Sequence, residues 1–242
     1  MIRKMLAAGI FAFTSLCSAA QINQQIGWFG SFNTIKINSK FSVHAELQVR
    51  STDNWEQVQS VLPRLGLNYH FAKNQILTAG YAFIPTRNSI GGKSQLLGEH
   101  RIWQQYIINQ SVKNTAISHR FRLEERFIPR PTSDGTTIDW NNRLYSTRLR
   151  YFIRAVVPLV KDKPFTKGVF IGLQNEIFTN LTDQQNVNTH FFDQNRAYAA
   201  LGYRFSKKFD IEAGYMNQFI KGVAKTGNRN NHIIQLATYL RL

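Results

Sequence analysis

The sequence ISHRFRLEERF, from Ile117 to Phe127, alternates between apolar side chains and polar, mostly charged ones. The apolar positions are Ile117, Phe121, Leu123 and Phe127. The polar positions between them include Ser118, Arg120, Arg122, Glu124 and Arg126. Because successive side chains of a strand point to opposite faces, this period of two predicts a strand with one apolar and one charged face. Such a strand is typical of a membrane β-barrel, which has an apolar wall and a polar interior.

The same alternation recurs along most of the chain. Eleven segments can be counted, at residues 25–37, 41–50, 61–71, 76–84, 97–109, 116–128, 144–157, 169–178, 196–205, 211–220 and 232–242. Short connections near residues 38, 73, 113, 162 and 207 alternate with longer ones near residues 54, 90, 135, 186 and 225. Outer-membrane barrels combine short periplasmic turns with longer outer loops. The sequence therefore predicts an all-β, antiparallel, up-and-down transmembrane β-barrel.

The strand count conflicts with the even number found in bacterial single-chain barrels. If the turn near residue 38 is periplasmic, the first strand must start on the outer side. An even number would need a reversal of direction within residues 21–37, or one segment that is two strands or none. We therefore expect 10–12 strands.

The N-terminus has the pattern of a secretory signal peptide. Arg3 and Lys4 form a basic region, residues 5–16 form an apolar core too short to span a bilayer, and small residues follow up to Ala20. We expect cleavage near Ala20, which leaves residues 21–242 as one barrel domain in the outer membrane of a Gram-negative bacterium. An N-terminal anchor helix is the alternative. The only cysteine lies in the signal segment, so no disulfide is predicted.

The 242-residue chain has a formal net charge of +16. Such basicity can indicate nucleic-acid binding. The predicted export and the single interleaving of arginines with apolar residues argue against that interpretation. The partners that we expect are outer-membrane lipid, including lipopolysaccharide, and a small anionic solute. The six histidines are scattered and lack paired carboxylates, so neither a metal nor a cofactor is predicted.

The charged faces of the predicted strands point into one interior. The residues expected there are Glu46, Arg50, Arg64, Glu99, Arg101, Arg120, Arg122, Glu124, Arg126, Arg148, Arg150, Arg154, Glu176, Arg196, Arg204 and Glu212. A small barrel can be filled by its own side chains, so the first hypothesis is a packed lumen held by Arg–Glu ion pairs. The second hypothesis is a small anion-selective pore, or a barrel that binds lipid A or another anion, because arginine excess favours phosphate and carboxylate groups.

Ser42, His44 and Glu46 share a predicted strand face, and this spacing would permit a catalytic dyad or triad. Ser118 and His119 are adjacent and therefore point to opposite faces. Polar strand faces carry Ser and His by chance, and the sequence has no nucleophile-elbow motif. We therefore do not expect an enzyme, and an outer-membrane lipid hydrolase is kept as the alternative.

Aromatic residues along the predicted strands are interpreted as the interfacial girdle of a membrane barrel, rather than as a stacking platform for bases. They are Trp28, Tyr69, Tyr81, Tyr151, Tyr203 and Tyr215. A different class of protein stays open: a soluble periplasmic β-sandwich or a lipocalin-like binder. In that class the outward residues would be polar and the inward residues apolar.

Short motifs follow one another along the whole predicted mature chain. They are Glu46-x-Gln48-x-Arg50, Arg64-Leu65-Gly66-Leu67-x-Tyr69, Gly80-Tyr81, Glu99-x-Arg101, His119-Arg120-x-Arg122-x-Glu124-x-Arg126, Arg148-x-Arg150-Tyr151, Asn195-Arg196, Gly202-Tyr203 and Gly214-Tyr215. In this order they resemble the domain-of-unknown-function family 2490, a family of exported proteins of Bacteroidota and related bacteria. The resemblance implies the barrel and the compartment. It implies no activity and no functional residues.

Overall fold

The computed structural model describes residues 21–90, 92–133, 137–160, 164–223 and 227–242. The predicted signal peptide lies outside the described residues. The strands are β1 (Gln21–Lys36), β2 (Phe41–Ser51), β3 (Val58–Ala72), β4 (Gln75–Ile90), β5 (Lys93–Val112), β6 (Thr115–Pro129), β7 (Thr132–Ser133), β8 (Ile138–Asp139), β9 (Arg143–Pro158), β10 (Gly168–Asn180), β11 (Phe192–Ser206), β12 (Phe209–Ile220) and β13 (Asn228–Arg241). Across these ranges no helix has the length and apolarity needed to cross a membrane.

Eleven strands form one closed barrel, and β7 and β8 form a separate small hairpin. Neighbours in the barrel follow the chain order and pair antiparallel, except where β1 pairs parallel with β13, for example Gly27 with Ile234. Strands joined by successive hairpins alternate in direction, so an odd number leaves the first and last strands running the same way. The predicted all-β barrel is confirmed, and the parallel closure removes the conflict over strand number.

The barrel is polar inside and apolar outside. On β6, Arg122 lies opposite Gln105 of β5 and Arg150 of β9, and all three side chains are buried. On the outer wall, Leu65 and Leu201 are 62% and 60% exposed. A soluble β-sandwich would place apolar residues inside, so that alternative is contradicted by the faces of the strands.

The predicted long connection at residues 85–95 is wrong. The ladder between β4 and β5 continues through Pro85 opposite Gly98 and ends with Ile90 opposite Lys93. Just before β5, Gly92 adopts a φ of +76°, which favours glycine. This segment is rich in Pro, Gly and Ser, residues typical of turns, but pairing with the neighbouring strand overrides that local preference.

The connections separate the two ends of the barrel. The connections that follow β1, β3, β5, β9 and β11 lie at one end, called the short-turn end. Those that join β2 to β3, β4 to β5, β6 to β9, β10 to β11 and β12 to β13 lie at the other, called the long-loop end. The predicted difference in length holds for most connections; the exceptions are the short one between β4 and β5 and the long one between β9 and β10.

Candidate functional site in the barrel interior

All of the charged residues predicted for the lumen lie on inward-facing positions. Glu124 and Glu212 are 0% and 1% exposed, and Arg122 is 1% exposed. Each belongs to a strand whose alternate residues face outward, so the period of two alone fixes their direction. Their burial means that each charge needs a compensating partner, since an isolated ion in a low-dielectric interior is costly.

A central layer of ion pairs joins three adjacent strands, β6, β9 and β10. Glu124 accepts hydrogen bonds from Arg148 Nη2 at 2.6 Å and from Arg150 Nη1 at 2.5 Å. Arg150 Nη2 also donates to Glu176 at 2.6 Å, and Arg120 Nη2 donates to the same carboxylate at 2.7 Å. Carboxylates that accept from several guanidinium groups form the stronger class of hydrogen bond. This layer is therefore a continuous Arg–Glu network.

Two smaller groups of pairs extend the network around the wall. Glu46 of β2 pairs with Arg64 of β3. Nearer the long-loop end, Glu99 accepts from Arg101 Nε at 2.6 Å and from Arg126 Nε at 2.7 Å. In both groups the carboxylate and the guanidinium come from the same or adjacent strands, so these contacts line the wall.

Other contacts cross the interior. Arg154 of β9 donates to Glu212 of β12 at 2.5 Å, and its guanidinium lies 5.0 Å from the ring centroid of Tyr239 on β13. Tyr239 itself donates to Glu212 at 2.7 Å. On the opposite side, the rings of His44 on β2 and Trp103 on β5 are 5.8 Å apart. The Arg154–Glu212, Arg154–Tyr239 and His44–Trp103 contacts each span two or more intervening strands, so they lie across the barrel interior.

Two of the arginines predicted for the lumen, Arg50 and Arg122, have no carboxylate partner among the described residues. Arg50 Nη2 donates to Gln48 at 2.7 Å, and the Arg50 guanidinium lies 3.9 Å from the ring centroid of Trp28. Arg122 donates to Gln105 Oε1 at 2.9 and 2.7 Å. Neutral amides and aromatic faces do not cancel a full positive charge, so the interior has uncompensated cations.

The Arg50 guanidinium borders a cavity of about 570 Å³ that opens at the long-loop end, called here the vestibule. Its apolar lining includes Trp28, Phe178, Leu62 and Ile84. Its basic lining residues are Arg50, Arg64, Arg101, Arg126, Arg148, Arg150, Arg196 and Arg229. Asp53 is the one acidic residue that lines it within the described ranges. Six of these arginines pair with carboxylates, whereas Arg50 and Arg229 have no ion pair among the described residues. The vestibule therefore carries uncompensated positive charge at Arg50 and Arg229.

The geometry around Trp28 brings two of these arginines together. The Arg196 guanidinium lies 5.0 Å from the Trp28 ring centroid, on which Arg50 is also stacked, and 4.6 Å from that of Phe178. Its nearest carboxylate is Glu176, at 3.6 Å. Stacking on aromatic faces holds the guanidinium groups in place and leaves donor groups free for a ligand.

A second cavity, of about 900 Å³, opens at the short-turn end. Arg154, Arg204 and Arg241 line it, and it shares no lining residue with the vestibule. Asp210 pairs with both Arg204 and Arg241, at 2.8 and 2.6 Å, whereas Arg50 in the vestibule has no such carboxylate. The crossing contacts of Arg154 lie between the two cavities.

The interfacial interpretation of Trp28 is wrong, because Trp28 is 7% exposed and faces inward under Arg50. The structure places the predicted tyrosines on the outer wall. Tyr69 and Tyr203 lie toward the short-turn end. Each of the other three shares a hydrogen bond with a histidine: Tyr81 with His100, Tyr151 with His119 and Tyr215 with His232.

Sequence reasoning missed several residues of the interior. Trp103 is fully buried beneath Arg122, and Phe178 packs against Arg148, Arg150 and Arg196. Trp103 has the same parity as Glu99 and Arg101 and could have been assigned by strict alternation. Asp193, which pairs with Arg148 at 2.9 Å, lies before the predicted start of its strand and gave no signal.

The possible Ser42, His44 and Glu46 arrangement does not form. Ser42 Oγ lies 2.8 Å from His70 Nε2 and accepts from Asn68 at 3.0 Å. His44 is 3.4 Å from Glu46, whose other oxygen pairs with Arg64. Cross-strand register therefore gives Ser42 a different histidine, His70, from the one that spacing along β2 suggested, while His44 keeps its contact with Glu46.

A closed barrel with a charged interior and an apolar wall belongs to the porin-like β-barrel class. A solved structure described as NanC porin in a rhombohedral crystal form has the same fold, with a TM-score of 0.53 and 8% identity over 90% of this chain and 98% of that chain. No curated protein matches the sequence. The profile of DUF2490, described as a protein of unknown function, matches residues 25–231, and the chain belongs to that family.

Proposed function

We propose that the chain is an exported outer-membrane β-barrel of a Gram-negative bacterium, with its short turns in the periplasm and its long loops outside. The apolar outer wall and the two unlike ends of the barrel support this placement. The family resemblance also favours Bacteroidota as the source. The porin-like fold agrees with the same compartment. Outer-membrane lipid and lipopolysaccharide would then surround the wall and the outer rim.

Within that barrel, the proposed function is binding of a small carboxylate or phosphate in the vestibule, above a lumen closed by side chains. The observation that carries the proposal is Arg50, which faces the vestibule beside Arg196 without a carboxylate of its own. A bound anion would supply the missing negative charge. The planar fork of a guanidinium suits two oxygens of a carboxylate or phosphate.

The closed lumen is the second part of the proposal. Arg154, Glu212 and Tyr239 form one cluster of contacts from β9 to β13, and this cluster is proposed to close the lumen between the vestibule and the cavity at the short-turn end. Each of the three has a charged or hydrogen-bonding partner within the cluster, so the cluster needs no solvent to stabilise it. A ligand that enters from the long-loop end would therefore be retained rather than conducted.

Calorimetric titration of the refolded protein with inorganic phosphate and with small carboxylates tests the vestibule. The double variant Arg50→Gln/Arg196→Gln should lower the affinity by about tenfold or more, because two charge-assisted contacts are removed. Arg241→Gln is the matched control, since Arg241 lies at the other end and is 42% exposed at its side chain. Equal affinities in the two variants would contradict the proposed site.

An anion-selective pore is the second candidate. It is favoured by the arginine excess in the vestibule and by the likeness to a structure titled as a porin. In the first candidate the Arg154 cluster blocks the lumen, whereas a pore requires water and ions to pass that cluster. Measuring the electrical conductance of the barrel distinguishes the two candidates.

A further inference from the structure

The lysines of the chain are concentrated at the short-turn end. Every connection there carries or adjoins at least one, and those in the described residues are Lys36, Lys40, Lys73, Lys113, Lys167, Lys207 and Lys208. All seven are exposed, and none forms an ion pair with a described carboxylate. They are called the lysine ring below. The arginines, in contrast, mostly face the lumen.

Acidic residues do not balance the lysine ring. The described connections of the short-turn end contain no Asp or Glu, and the sequence adds one acid, Asp162, outside the described residues. Asp210 is buried and already pairs with Arg204 and Arg241. The long-loop end differs, since Asp53, Glu56, Asp139 and Asp183 accompany its basic residues. The uncompensated lysine charge is therefore confined to one rim.

Outward aromatic residues lie directly beside the lysine ring. Phe41 and Tyr69 have ring centroids 5.3 Å apart, and the Phe71 and Tyr106 centroids are 6.1 Å apart. Near the turn at residues 207–208, Phe205 and Phe209 stack at 5.5 Å. Aromatic rings of this kind mark the boundary between hydrocarbon and headgroups. The lysines next to them lie at the level of the headgroups.

We propose that the lysine ring binds the phosphate groups of anionic phospholipids in the leaflet around the short-turn end. The inference rests on the proposed membrane placement. Lysine is a compact charge on a flexible stem, which suits mobile headgroups better than a rigid site. The ring is spread over all the connections of that rim, and such a distribution matches a continuous lipid surface better than one solute. Each lysine should contribute about a fivefold preference for an anionic lipid.

Native mass spectrometry of the protein refolded in detergent, titrated with phosphatidylglycerol or phosphatidylcholine, tests the inference. The wild type should bind phosphatidylglycerol at least about tenfold more tightly. The variant Lys113→Gln/Lys167→Gln/Lys207→Gln/Lys208→Gln should lose most of that preference. The control Lys93→Gln/Lys221→Gln/Arg130→Gln/Arg143→Gln removes the same number of charges from the long-loop end and should retain it.

Three results would overturn the inference. The four-lysine variant could keep the wild-type preference, or the control could lose it equally. An excess of inorganic phosphate could displace the lipid completely, and the ring would then be a site for free phosphate. Migration on gels before and after boiling checks each variant for a folded barrel. A wild type that neither inserts into vesicles nor shifts on boiling would contradict the membrane placement itself, and the lipid inference with it.

Discussion

Arg150 and Arg50 both line the vestibule but are in opposite situations. Arg150 lies between two carboxylates, Glu124 and Glu176, and donates to both. Arg50 has an amide and the face of Trp28. A paired buried ion holds strands together, whereas an unpaired ion beside a cavity attracts an opposite charge from solution. Position relative to the carboxylates therefore decides whether an interior arginine is structural or available to a ligand.

The largest expected change in the free energy of unfolding comes from removing a carboxylate of the central Arg–Glu layer. Glu124→Gln leaves Arg148 and Arg150 without their shared carboxylate and should destabilise the barrel by about 3–5 kcal/mol. The neighbouring Glu125→Gln is the control, because Glu125 faces outward and has no ion pair in the described residues. Denaturant unfolding in detergent measures both. Similar losses in the two variants would show that the central layer does not carry the stability assigned to it.

A smaller change in the free energy of unfolding is expected when an anion binds in the vestibule beside Arg50. Phosphate at about one hundred times its dissociation constant should stabilise the wild type by about 2.7 kcal/mol, because it binds only the folded barrel. Arg50→Gln/Arg196→Gln should lose most of this gain. Thermal unfolding with and without phosphate provides the measurement. Stabilisation that is unchanged in the double variant would place the anion elsewhere.

The smallest change in the free energy of unfolding is expected for a substitution at Arg122. Like Arg50, Arg122 has no carboxylate partner among the described residues, but it lies outside the vestibule lining. Arg122→Met removes a buried cation and keeps most of its contact with Trp103. The stability should change by less than about 1 kcal/mol or increase, since an uncompensated ion is replaced by an apolar side chain of similar length. Denaturant unfolding of Arg122→Met and the wild type in detergent measures this change in stability. A loss as large as that of Glu124→Gln would mean that Arg122 has a compensating partner after all.

Alternation along single strands was sufficient to predict the barrel and the inward charges. It could not predict which charges meet, because register and strand tilt bring Arg154 to Glu212 across two intervening strands. The parallel closure of β1 on β13 also depends on pairing between residues far apart in the chain. Local pattern carries no information about either.

The error at Trp28 has a different cause. Sequence reasoning assigned aromatic residues to the lipid interface, but aromatic faces also bind guanidinium groups inside a charged lumen. On β1 the outward positions include Ser31 and Asn33, so apolar and polar faces are less distinct there than on β6. The vestibule, which needs Trp28 and Phe178 as well as the arginines, could therefore not be assembled from charge pattern alone.

Conductance across a planar lipid bilayer tests the closed lumen beneath the vestibule most directly. The protein must first show the gel shift of a folded barrel, so that silence is not caused by misfolding. With the Arg154, Glu212 and Tyr239 cluster in place, the wild type should give no stable conductance steps. Stable, anion-selective steps from the wild-type barrel would contradict the closed lumen and establish a pore.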